Sequence, residues 1–310
     1  MQPRIVLLDR ATLGDVSLER IEALGTLVCY DRTAPEEVID RIATAEIIIT
    51  NKVVISRNEM IAAPGLRLIC IAATGMNNVD LKAAAELGIA VRNVAGYSTE
   101  SVVQSTFAHL LSLMNRLPYF DHYVKAGDYS AEGLFTHHGR SFGELAGRRM
   151  GIIGLGTIGR RVAQVAEAFG MEVVYYATSG KPHDDHFRAV SLEELLATSD
   201  VISIHAPLNE QTRNLIDSRA LEIVKPTAIL LNAGRGGIVD EVALAEALHK
   251  KSLLGAGLDV FEREPLSADS PLLSEEIAER LSFTPHTAWA SIEARRRLVE
   301  GIAANIERGY

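Results

Sequence analysis

Arg149-Met150-Gly151-Ile152-Ile153-Gly154-Leu155-Gly156-Thr157-Ile158-Gly159 is the stretch that decides the fold of this 310-residue chain. A short apolar strand runs into Gly-x-Gly-x-x-Gly, and apolar residues at helical spacing continue through Phe169. Gly154 suits the tight turn, Gly156 lets backbone approach a pyrophosphate, and Gly159 lets the helix pack on the strand, with the helix amino terminus facing the phosphates. A lone Gly-x-Gly-x-x-Gly is weak; here strand, turn and helix stand in the required order, and the next strand, Met171–Tyr176, arrives at the expected distance.

Working outward, strands are expected at Met150–Gly154, Glu172–Tyr176, Val201–His205, Ala228–Asn232 and Gly255–Val260, closed by a short run at Leu281–Thr284. Upstream, Arg4–Leu8, Thr26–Tyr30, Glu46–Thr50, Leu66–Ala72 and Ile89–Val94 form a second series. The clearest helices between them are Leu18–Leu24, Pro35–Ile42 and Asp80–Leu87, with Asp80 as N-cap and Gly88 as stop. Ile/Val/Leu runs alternating with helices predict parallel sheets covered on both faces. The fold class is therefore α/β, with two doubly wound parallel-sheet domains. A long helical pattern opens at Ser98-Thr99-Glu100-Ser101 and runs towards Leu117-Pro118. The final stretch, Ile292–Ile306, reads as a helix that packs back on the first domain.

With 47% hydrophobic and 23% charged residues, the chain is an ordinary globular one. Its apolar runs, such as Ile47-Ile48-Ile49, are strand-sized, too short to span a membrane. The opening residues lack the apolar core of a signal peptide, which points to the cytoplasm. A net charge of -9 disfavours nucleic acid and anionic lipid as partners, and Arg295-Arg296-Arg297, flanked by Glu293 and Glu300, reads as a solvated helix face. Cys29 and Cys70 sit in apolar strand-like segments and are expected to pack as small hydrophobes; no metal site is expected.

Three downstream segments put polar residues beside strand ends, where open α/β sheets bind ligands. In Leu231-Asn232-Ala233-Gly234-Arg235-Gly236-Gly237, an arginine among glycines can grip a carboxylate with its fork. Leu258-Asp259-Val260-Phe261-Glu262-Arg263-Glu264-Pro265 and Phe283-Thr284-Pro285-His286-Thr287-Ala288-Trp289 are the others. Each alone has a bland reading as a solvated arginine, a cap or a lone histidine. Beside a dinucleotide site they complete a chemical set. Imidazolium can protonate a developing alkoxide near neutral pH, a neighbouring carboxylate favours that charged form, and fixed positive charge stabilises the oxyanion.

Gly-Leu-Gly-x-Ile-Gly, His205-Ala206-Pro207-Leu208 with Thr212, Asn-x-Gly-Arg-Gly-Gly, Asp-Val-Phe-x-x-Glu-Pro and Pro-His-x-Ala together resemble the D-isomer-specific 2-hydroxyacid dehydrogenases, most nearly the glycerate dehydrogenase and hydroxypyruvate reductase group. Ala73-Thr74-Gly75-Met76-Asn77-Asn78-Val79-Asp80 resembles that family's substrate-carboxylate loop, so the likeness spans nearly the whole chain. The resemblance implies His286 as acid/base, Glu264 as its partner and Arg235 as the substrate-binding cation. It also implies carboxylate binding by Thr74 and the amides of Gly75 and Met76; Lys52 either adds charge there or is an ordinary solvated lysine. For the cofactor it implies Thr157 and Ile158 at the pyrophosphate, Pro207 and Thr212 along the groove and Asp259 bonded to the carboxamide, with Gly154, Gly156, Gly159, His205, Ala206, Ala233 and Ala288 also cofactor-binding. It implies a flavodoxin-like substrate domain of residues 1–97 plus 288–310, a Rossmann domain of residues 98–287, and a homodimer through the helix starting near Ser98. The implied activity is hydride transfer between NAD or NADP and a small 2-keto or D-2-hydroxy acid, hydroxypyruvate or glyoxylate first, with phosphoglycerate and D-lactate as alternatives. Glu264 disfavours the formate dehydrogenase branch, which carries glutamine there, and Thr74 disfavours phosphite dehydrogenases, which carry lysine. A rival of another kind is a dinucleotide-sensing corepressor of the same fold.

The chain departs at Ala177 from the family that it resembles. NAD-selective members end the strand after the fingerprint helix in an aspartate that accepts hydrogen bonds from the ribose. Here Ala177 precedes Thr178-Ser179-Gly180-Lys181, either a site for a 2′-phosphate or an ordinary polar turn. Relaxed NAD/NADP selectivity is the expectation, with NADH preference as its alternative.

Overall fold

The computed structural model describes residues 2–181 and 184–309. It divides into two compact units, Met1–Ser98 with Trp289–Tyr310, and Thr99–Ala288. Both are α/β, each built on one parallel sheet.

In the first unit β1 (Arg4–Leu7), β2 (Thr26–Cys29), β3 (Ile47–Thr50), β4 (Leu68–Ile71) and β5 (Ala90–Arg92) lie in the order β2-β1-β3-β4-β5. This is the flavodoxin-like order, and its switch point falls between β1 and β3. Alternation along each strand serves both faces. Ile5, Leu7, Ile47 and Ile49 pack with Leu298, Val299 and Ile302 of the final helix, Ile292–Glu307. Val6, Ile48 and Ile69 pack on the other face with Val38, Met60 and Ala83. The Arg57–Ala62 helix was not expected from hydrophobic pattern, being only six residues long, but its Ser56/Glu59 capping box marks its start. Asp80 caps Leu81–Glu86 by accepting from the Ala83 amide at 2.9 Å, and Gly88 follows at φ +72°.

In the second unit β6 (Arg149–Ile153), β7 (Glu172–Tyr176), β8 (Arg188–Ala189), β9 (Val201–Ile204), β10 (Ile229–Asn232), β11 (Gly255–Leu258) and β12 (Leu281–Phe283) lie in the order β12-β11-β10-β9-β6-β7-β8. That is the Rossmann pattern, switching between β6 and β9. Two-residue β8 is too short to leave a pattern in the sequence. Ser191 and Asp217 cap short helices, and Asp240 caps Glu241–His249.

Three expectations need correction. The long helix ends at Met114, because Arg116 turns left-handed (φ +54°), and a separate helix, Leu117–Lys125, begins with Pro118 in its first turn. Cys29 ends the edge strand β2 and is exposed, so of the two cysteines Cys70 alone packs as a core hydrophobe. Arg295 and Arg297 are not merely solvated: Arg295 donates to the carbonyls of Leu13 and Ala290, both at 3.1 Å, and Arg297 to that of Tyr97 at 2.8 Å. They fasten the final helix to the first unit's loops.

Candidate active site

The cofactor candidates of the second unit follow the carboxyl ends of its strands β7, β6, β9, β10, β11 and β12. Gly154 turns at φ +90°, and a Cβ there would lie 2.9 Å from the Ala206 amide, so the ends of β6 and β9 meet closely. A Cβ on Gly159 would collide with the Gly154 carbonyl oxygen, whereas one on the exposed Gly156 would meet nothing within 4 Å. The helix Thr157–Ala168 has Gly156 as N-cap and no side-chain cap. Its first-turn amides, Thr157 and Ile158 among them, are thus left for an external acceptor, the arrangement a pyrophosphate needs. His205 follows β9; its Nε2 lies 2.8 Å from Ser203 Oγ, while its Nδ1 is buried with no hydrogen-bond partner among the described residues. Burial pushes the His205 pKa down to about 4. An open space at Gly156, free amides and an orphaned polar nitrogen all fit a dinucleotide.

Not every candidate faces outward. Thr212 is 1% exposed, and its hydroxyl donates to the Pro207 carbonyl at 2.6 Å, so it shapes the loop from inside while Pro207 is exposed. Ala177 is buried, Thr178 half-buried and Ser179 exposed. Their turn is closed by Gly180 N to Ala177 O at 2.9 Å, and Ser179 Oγ donates to the Lys181 carbonyl at 3.2 Å. Ala206 and Ala288 are buried and Ala233 half-buried.

The acid/base candidates do come together. His286 Nδ1 lies 2.7 Å from Glu264 Oε2, leaving Nε2 as the ring nitrogen for chemistry. Glu264 Oε1 accepts from the Phe261 amide at 3.1 Å, which orients the carboxylate. Arg235 follows β10 in a turn braced by Asn232, whose Oδ1 accepts from Gly234 N at 3.1 Å and whose Nδ2 donates to Arg235 O at 3.0 Å. Gly236 fits without a side chain because a Cβ would collide with Phe261 O; this packs the arginine's loop directly on the loop that carries Glu264. Asn232 and Glu241 escaped the sequence reading. Glu241 accepts from the Glu262 amide at 2.6 Å, and burial pushes its pKa up. A polar residue at a strand end, as Asn232 is, or in the first turn of a helix, as Glu241 is, is too common to single out either one.

Within the first unit, Lys52 is exposed in the loop after β3, and Thr74, Gly75 and Met76 follow β4. Thr74 Oγ1 donates to Val94 O at 3.2 Å, while the Gly75 and Met76 amides have no hydrogen-bond acceptor among the described residues. Asp9, also missed, organises these loops. Its carboxylate accepts from the amides of Asn51 (2.9 Å), Lys52 (2.6 Å) and Val53 (3.3 Å), and Val53 O in turn accepts from Asn78 Nδ2 at 3.0 Å. Burial pushes the Asp9 pKa up, opposed by those amides and by Lys52.

The chain is similar to known proteins in sequence and fold. Residues 107–288 match the family described as D-isomer specific 2-hydroxyacid dehydrogenase, NAD binding domain. A hydroxypyruvate reductase of Blautia hydrogenotrophica is 37% identical over 98% of this chain and 96% of its own. A glycerate dehydrogenase of Methylorubrum extorquens is 36% identical over 99% and 96%. The crystal structure of an NADPH-dependent glyoxylate/hydroxypyruvate reductase from Sinorhizobium meliloti, in complex with NADP and malonate, superposes with a TM-score of 0.85 at 29% identity, covering 99% of this chain and 93% of that one. The chain belongs to the D-isomer-specific 2-hydroxyacid dehydrogenases, enzymes that work with a nicotinamide dinucleotide.

Proposed function

We propose that this enzyme reduces hydroxypyruvate or glyoxylate to the corresponding 2-hydroxy acid. The observation that carries the reading is the 2.7 Å pairing of His286 Nδ1 with Glu264, on a loop packed against that of Arg235. The names of the relatives support the substrate class. When bound, the cofactor supplies the hydride. His286 gives a proton from Nε2 to the substrate's carbonyl oxygen, and Glu264 holds the ring and favours its charged form. Arg235 grips the carboxylate and polarises the carbonyl. In the first unit, the substrate-binding part of this reading, the Gly75 and Met76 amides take a carboxylate oxygen, with Thr74 and Lys52 beside them. Thr157 and Ile158 hold the pyrophosphate, and Asp259 and Ala288 lie nearest the carboxamide.

Selectivity between NADH and NADPH is relaxed in this reading. Ala177 removes the rejecting carboxylate, and Thr178, Ser179 and Lys181 offer hydroxyls and a cation; the NADPH-dependent relative favours the same view. A homodimer through the helix from Thr99 is favoured by the apolar side chains exposed just beyond it, Leu117, Val124, Leu134, Phe135 and Phe142. A cytoplasmic setting suits unpaired Cys29 and Cys70.

Steady-state reduction of hydroxypyruvate, glyoxylate, pyruvate, 3-phosphohydroxypyruvate and bulkier 2-keto acids with each cofactor tests this. The expected result is a kcat of about one per second or more, with kcat/KM highest for hydroxypyruvate or glyoxylate. No turnover on any of them would overturn it in favour of a dinucleotide sensor.

A further inference from the structure

The helix Thr99–Met114 buries a titratable residue that the reaction above does not use. His109 is 5% exposed, with Nδ1 2.7 Å from Ser282 Oγ and Nε2 3.0 Å from Thr284 Oγ1. The sheet makes room for it at Gly257, where a Cβ would lie 2.7 Å from that of His109.

Every proton in this chain of bonds is assigned by donor and acceptor capacity. The Asp259 carboxylate only accepts, so the Thr284 hydroxyl, 2.6 Å from Oδ1, donates to it. Thr284 Oγ1 has then used its proton and accepts from Nε2–H of His109. Nδ1 is left as acceptor for the Ser282 hydroxyl. His109 is thus the neutral Nε2–H tautomer, the form that burial favours by pushing its pKa down.

What lies at the far end of the chain is the catalytic segment. Asp259, 1% exposed, also accepts from the amides of Thr287 (2.8 Å) and Ala288 (3.0 Å), and its carbonyl accepts from the amide of His286 (2.7 Å). His286 itself stands at φ +56°, a left-handed conformation that a residue with a β-carbon keeps only when its surroundings hold it there.

We propose that His109 is a positioning residue for His286, locking Thr284 and through it the Asp259 carboxylate around which residues 286–288 are wound. The proposal rests on His286 being the catalytic acid. If His109 merely satisfied the core, replacing it would lower stability and leave turnover alone.

Two variants separate these cases in steady-state kinetics of the full-length enzyme, with Tm measured alongside. His109→Leu fills the space and donates nothing to Thr284, whereas His109→Gln keeps both an amide donor and a carbonyl acceptor. A loosened general acid predicts that His109→Leu loses about tenfold or more in kcat and that His109→Gln recovers most of the loss. In a His286→Ala background the leucine change should cost nothing further, since residues acting as one unit are not additive. Thr284→Val breaks the same link from the other side and decides the matter by the same kinetics if His109→Leu does not fold. Wild-type kcat in a folded His109→Leu enzyme, or an equal loss with and without His286, overturns the proposal. If His286→Ala keeps wild-type turnover, the catalytic reading fails separately, and amide exchange at Thr287 and Ala288 decides the positioning: faster in His109→Leu as proposed, or unchanged and the proposal falls.

Discussion

Arg235 leaves β10 through a turn held by Asn232, and its Nη1 donates to the Gly234 carbonyl at 2.8 Å, so its guanidinium is fixed before substrate arrives. A lysine offers a point charge without the planar fork, and Arg235→Lys is expected to lower kcat/KM for hydroxypyruvate by about 100-fold, or ~2.7 kcal/mol. A variant with wild-type KM and kcat would remove Arg235 from substrate binding. His205 makes a different prediction. Its pKa lies near 4 in the folded chain, below the ordinary value of 6.5. A depressed pKa contributes stability that is complete above about pH 6.5 and is lost as pH falls towards 4, up to ~3 kcal/mol, with buried His109 acting in the same direction. Urea midpoints measured across that range should fall less steeply for His205→Gln than for wild type; parallel curves would contradict the burial. Arg235 and His286 were legible because each follows a strand in a stretch that also carries glycine or proline, and Glu264 through the family resemblance alone. Asn232 and Glu241 were not, and Asp9 and His109 less so, because their partners lie across the fold: Asp9 binds amides some forty residues away, and His109 binds Ser282 and Thr284.

Among elements, the β7 turn bears on cofactor choice. Ala177 is buried at the strand end, and the turn closes on itself without a carboxylate. NADPH should therefore be used at least comparably to NADH, and Ala177→Asp should shift the ratio towards NADH by restoring the repelling charge. A wild-type preference for NADH above roughly 100-fold, ~2.7 kcal/mol in kcat/KM, would require a rejecting group elsewhere. Strands such as β3 and β4, buried on both faces, were legible as continuous apolar runs. The break at Arg116 was not, because a left-handed arginine leaves no mark in an apolar pattern, although Pro118 hinted at a new start.

At the scale of the whole molecule, both sheet orders were within reach of the alternating pattern, since right-handed crossovers between parallel strands leave few topologies. In the sequence the dimer expectation rests on family likeness alone. Light scattering should report a dimer for wild type, and Phe135→Asp with Phe142→Asp should shift it towards monomer; an unchanged mass would place the interface elsewhere. Phe135, 96% exposed, loses no core packing on substitution, and Phe142, 61% exposed, loses an edge contact with Phe120. The claim on which all else depends is that His286, oriented by Glu264, protonates a small 2-keto acid as hydride arrives. Its most direct measurement is kcat for hydroxypyruvate reduction by His286→Ala beside wild type, with cofactor affinity checked in both. The account predicts a fall of 10²–10⁴-fold, roughly the contribution of a positioned general acid, with cofactor binding intact; near-wild-type turnover would contradict it.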